Sequence, residues 1–107
     1  MAPKARVSAR LTSVRRRINR FDARLLRLLN QRAKLALTIG RIKKRRKWPV
    51  FDAAREASVL RHVIAANEGP LSEAAVRHIF QAILCECRRR ERVLPKKRLR
   101  QSVVRRP

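Results

Sequence analysis

The chain has little of what a cofactor-dependent or nucleophilic enzyme needs. Its 107 residues include two Gly, two Cys, two His, one Trp, three Phe and no Tyr. So few glycines rule out a phosphate-cradling glycine loop, and no Ser/His/Asp set is visible. Cys85 and Cys87 stand two apart on a helical stretch and point about 200° from each other, so they cannot bond there. With His62 and His78 each alone, no metal-ligand spacing exists. The scarcity of aromatics leaves almost nothing for base stacking. No apolar run approaches transmembrane length and the first residues lack a signal-peptide core, so a cytoplasmic protein with reduced thiols is expected.

Acid is also scarce. Seven Asp and Glu face 30 Lys and Arg, a net charge of +23, and every acid lies between Asp22 and Glu91. Both ends are therefore uniformly basic. Such a balance attracts polyanions, acidic protein surfaces or a small anionic ligand. A basic helical nucleic-acid-binding protein is one reading, although stacking residues and a recognised binding motif are missing.

What remains is helix former in quantity, which predicts an all-α chain, and a length that allows one domain with a modest core. Leu11, Val14, Ile18, Phe21, Leu25, Leu28, Arg32, Leu35, Ile39 and Ile42 follow at steps of four and three, a heptad seam on one long helix from about Leu11 to Lys47. That helix would be about 54 Å long at ~1.5 Å per residue. A compact chain of this size has a radius of gyration near 13 Å, so the remaining residues cannot wrap it. A second chain is the natural cover. The seam is broken only by Arg32, which either snorkels outward or faces an enclosed anion.

Residues 1–10 read as a frayed basic leader, 11–92 as the folded domain and 93–107 as a disordered basic tail. The long helix should stop in the run Lys43 to Lys47, where cations suit the negative end of the dipole and Trp48-Pro49 forbids continuation. Asp52 is placed to cap a second helix with stripe Val59, Leu60, Val63 and Ile64. Asn67-Glu68-Gly69-Pro70 ends it, with Gly69 expected in a left-handed C′ conformation. A third helix opens at Ser72, with Leu71 and Val76 placed as a hydrophobic staple. Its stripe reads Ile79, Phe80, Ile83, Leu84, Cys87 and Glu91.

Candidate chemistry falls on charged residues. Arg32 and Lys43 stand eleven positions apart, nearly three turns, and project from one face about 16 Å apart along the axis, a span two long cationic side chains can close on a dianion. Arg15 lies roughly 25 Å from Arg32 and about 100° round the helix. It can join the same pocket only from another protomer. Asp52, Arg55 and Glu56 form a second cluster, for which capping and dipole complementarity are the plain alternative. Glu91 extends an apolar stripe among Arg88, Arg89, Arg90 and Arg92, or else pairs along its own helix.

Taken together, the stretches VRRRINRFDARLLRLLNQRAKLALTIGRIK (14–43), PVFDAARE (49–56), NEGPLSEAAVRHIF (67–80) and CECRRRE (85–91) resemble the all-helical, AroQ-type chorismate mutases over about residues 11–91. The resemblance implies three helices per chain, one long and two shorter, in an intertwined, domain-swapped homodimer. It implies rearrangement of chorismate to prephenate in aromatic amino-acid biosynthesis, without cofactor, metal or covalent intermediate. Arg32, with Arg15 from the partner chain, resembles the arginines that bind the substrate carboxylates. Lys43 resembles the lysine that donates to the ether oxygen. Asp52 and Glu56 match positions that receive the ring hydroxyl, Arg55 a supporting arginine, and Cys87 a small serine of some members. Glu91 stands where a second donor to the ether oxygen is held as Gln or Glu, and because a carboxylate cannot donate, it must be protonated in the productive state.

The chain departs from that pattern in three places. Ala53 replaces a proline common after the loop aspartate, Cys87 removes a hydroxyl, and the tail Lys96 to Arg106 has no part in the reaction. An isochorismate-pyruvate lyase on the same fold would use the same cations. The tails suit an acidic partner protein or a polyanion.

Overall fold

The computed structural model of the chain describes residues 3–93, which form three α-helices and no strand. The expected tail after Val93 lies outside the described residues. Helix α1 runs Pro3–Arg46, α2 Ala53–Ala66 and α3 Glu73–Arg92. The chain divides into a unit up to Arg32 and a unit from Ala33 onward.

The first helix starts at Pro3, not near Leu11, so residues 3–10 are helical and not a frayed leader. Proline suits a first helical position, where its missing N–H costs nothing. Lys4, Ala5, Arg6, Ala9 and Arg10 are strong helix formers, and Val7 extends the seam by one step.

At the other end α1 closes at Arg46 as the basic run requires. Lys47 takes a left-handed φ of 59°. Its N–H donates to the Lys44 carbonyl at 3.2 Å while the Trp48 N–H reaches back to the Lys43 carbonyl at 2.8 Å. These two bonds are a Schellman cap, completed here without glycine.

Both shorter helices begin at the caps read from the sequence. Asp52, extended at φ −126°, accepts the Arg55 N–H on Oδ1 at 3.0 Å. Ser72 accepts the Ala75 N–H on Oγ at 3.1 Å. Helix α2 ends at Asn67, whose Oδ1 accepts the Gly69 N–H and whose Nδ2 donates to the Leu71 carbonyl at 2.7 Å. Gly69 does adopt a left-handed φ of 80°, but two residues beyond the cap and not at C′. The asparagine side chain takes over the turn that glycine was expected to make alone.

Helices α2 and α3 pack against each other. Val59, Leu60, Val63 and Ile64 of α2 are half-buried, as are Phe80 and Ile83 of α3, with Val76 and Leu84 fully buried. Ile79, expected on the inner stripe, is 43% exposed. In the unit from Ala33 onward, α1 buries Ala36 and Gly40, and the Lys43 side chain lies one turn further along the same face. That face is about 100° round from Leu35, Ile39 and Ile42, the seam residues, which stay exposed. On α1, small residues are buried within the chain, and the large apolar residues of the seam are left exposed.

Candidate active site

The Schellman cap decides where the site begins. By reversing the chain after Lys47, it returns Val50 to Lys43, and the Lys43 ammonium donates to the Val50 carbonyl oxygen at 2.6 Å. From the last turns of α3, Glu91 Oε1 reaches the same ammonium at 3.6 Å, with only 7% of its side chain exposed against 17% for Lys43. An ion pair shielded to this degree is costly to desolvate and survives only with further hydrogen bonds, which Val50 supplies. The exposed pairs Arg77–Glu73 and Arg89–Glu86, along single turns of α3, contribute little by comparison. Glu91 thus meets a lysine from another helix, not a neighbour on its own.

Lys43 and Glu91 lie on the wall of an open concavity of about 520 Å³ that also includes Lys47, Trp48, Val50 and Arg92. Its size suits a small ligand. Its lining cations outnumber its acids, so the ligand it favours is an anion.

A second cluster lies where α2 begins. Asp52 commits one carboxylate oxygen to the cap, and its backbone carbonyl accepts the Glu56 N–H at 3.0 Å. Both carboxylate oxygens of Glu56 accept from Arg88 Nη1, each at 2.9 Å, with about a fifth of each side chain exposed. The Arg88 guanidinium also lies over the Phe51 ring, 5.1 Å from its centre. Arg88 therefore ties α3 to the first turn of α2 and to the loop before it.

Of the residues singled out in the sequence, the described structure joins Lys43 to Glu91 and seats Asp52 beside Arg55 and Glu56. Cys87 is half-buried next to Arg88 on α3, and Arg55 is exposed at the α2 cap. Arg15 is exposed and Arg32 half-buried, both within the unit up to Arg32. Sequence reasoning misses Arg88. The signal that could find it is its register: Leu84, Arg88 and Glu91 share one face of α3, so a cation between a core leucine and an inward glutamate is itself turned inward.

No helix among the described residues is long and apolar enough to cross a membrane. Residues 14–92 match the family described as chorismate mutase type II. A bifunctional chorismate mutase/prephenate dehydratase from Neisseria gonorrhoeae is 40% identical over 80 residues, covering 75% of this chain and 22% of that protein. Another, from Aquifex aeolicus, is 36% identical over 81 residues, covering 72% and 22%. The chain spans about a fifth of the length of these relatives. Among solved structures, chorismate mutase (form II) from Thermus thermophilus superposes with a TM-score of 0.78 at 29% identity, covering 81% of this chain and 99% of that one. With the match running through parts of all three helices and both capped turns between them, the chain belongs to the chorismate mutase type II family.

Proposed function

We propose that the chain rearranges chorismate to prephenate, a step toward phenylalanine and tyrosine, as an intertwined homodimer with two sites. The observation that carries this is the Lys43 ammonium, fixed between the Val50 carbonyl and Glu91 at the wall of a cationic concavity, in a chain of this family. The exposed seam from Val7 to Ile42 supports the second copy, since a water-facing apolar stripe of that length marks an interaction surface.

In this reading Arg32 of one chain and Arg15 of the other grip the two substrate carboxylates, as guanidinium forks suit. The flexible substrate is thereby held in the compact conformer that brings its reacting carbons together. As the carbon–oxygen bond breaks, negative charge grows on the ether oxygen, and Lys43 and protonated Glu91 donate to it. Asp52, through its backbone, and Glu56 receive the ring hydroxyl, while Arg55 and Cys87 complete the wall. Each preorganised donor is worth on the order of 3 kcal/mol. Two donors with conformer selection supply the ~8 kcal/mol of a millionfold acceleration.

The test is chorismate turnover by purified protein with product identification, alongside a mass measurement. Prephenate formation by a particle of two chains, abolished by Arg32→Ala, is expected. Undiminished turnover in Arg32→Ala would remove that residue from the site, and pyruvate released from isochorismate in place of prephenate would make the protein a lyase.

A further inference from the structure

We infer that Arg88 is a positioning residue for the Glu56 carboxylate and through it sets the preference for a substrate bearing a ring hydroxyl; this rests on the site reading given above. Arg88 Nη1 is 2.9 Å from both oxygens of Glu56, charge-assisted contacts short enough to fix the carboxylate's direction. The same guanidinium is braced by the Phe51 ring at 5.1 Å. It stands one turn before Glu91 on α3, so the two clusters of the site share a single rigid helix. Without such a partner, a glutamate in the first turn of α2 has several rotamers and no cause to hold one.

The geometry of the contact leaves Glu56 able to act. A carboxylate has about four lone-pair directions, and one guanidinium nitrogen approaching end-on occupies only part of them. Each oxygen keeps room for a hydroxyl donor. Charge points the same way. The Glu56 carboxylate would repel a dianion, and the Arg88 guanidinium offsets that charge. A strut that merely joined α2 to α3 would also explain the contact. Such a strut would change stability without changing which substrate is preferred.

The experiment measures kcat and KM of the full-length protein and its Arg88→Met, Arg88→Lys and Glu56→Gln variants, with the Arg88→Met/Glu56→Gln double variant. Chorismate and an analogue lacking the ring hydroxyl are both used, and melting temperature is recorded in parallel. Arg88→Met is expected to lower kcat/KM for chorismate roughly tenfold or more, and to shrink the preference over the analogue by a similar factor. Arg88→Lys should recover part of the loss. In the Glu56→Gln background, Arg88→Met should cost little further. An unchanged preference, or equal losses in both backgrounds, overturns the inference. Should Arg88→Met not fold, Arg88→Lys with and without Glu56→Gln makes the same comparison. A wild-type protein without chorismate turnover overturns the site reading and this inference together, whereas wild-type turnover indifferent to Arg88 overturns this inference alone.

Discussion

The two units of the chain treat their apolar residues in opposite ways. Between Pro3 and Arg32 nothing is fully buried, and Ile18, Phe21 and Leu25 are each more than half exposed. From Ala33 onward, Ala36, Gly40, Val76 and Leu84 are buried, and the shielded ion pairs Lys43–Glu91 and Arg88–Glu56 cross between helices. The unit from Ala33 onward builds a core and polar contacts, while the unit up to Arg32 presents its large apolar residues as a regular exposed stripe, which Leu35, Ile39 and Ile42 continue beyond it. The lesson is that the ammonium and carboxylate chemistry is assembled within a chain, and the guanidinium that the proposed site still needs, Arg15, lies on the uncovered half.

The largest effect should come from placing charge on that stripe. Leu25→Asp is expected to reduce the particle to one chain and to lower chorismate turnover about a hundredfold or more, because an unpaired carboxylate in an apolar interface costs several kcal/mol. Mass in solution and turnover measured on the same sample check this, and a dimer that persists at full activity would erase the contrast between the units. A smaller effect belongs to the other unit. Glu91→Ala removes one of the two proposed donors to the breaking bond and is expected to lower kcat by up to about a hundredfold. In Glu91→Gln the amide donates in its place, so most of that loss should be recovered; equal losses in the two variants would exclude Glu91 from donation. The smallest concerns the cap between α1 and the site. Lys47 holds a left-handed φ that costs a side-chain-bearing residue about 1 kcal/mol, so Lys47→Gly should raise the unfolding free energy by up to that amount, read from the denaturation midpoint.

Local features are legible in the sequence. Asp52 and Ser72 cap the helices their positions predict, and α1 stops in the basic run before Trp48-Pro49. Each depends on a few adjacent residues, which is where pattern carries most information. The start of α1 is misread when the charge of residues 3–10 is weighed above the helix propensity of Lys4, Ala5, Arg6, Ala9 and Arg10. Arg88 escapes notice for a different reason. Its partner Glu56 is 32 positions away, and no periodicity links two residues that meet only when α2 and α3 pack. The pairing of Lys43 with Glu91 is likewise tertiary, and only family resemblance brings the two together in advance of the structure.

The hydrogen bond from Lys43 to Val50 narrows the directions the ammonium can take. An ammonium on a four-carbon stem ordinarily spins and sweeps through many directions. Here one proton is committed to a backbone oxygen and another faces a carboxylate, which leaves a tripod standing on two legs. The third hydrogen is left few directions, so in the proposed site an incoming oxygen would meet a donor already oriented by the turn that follows the helix.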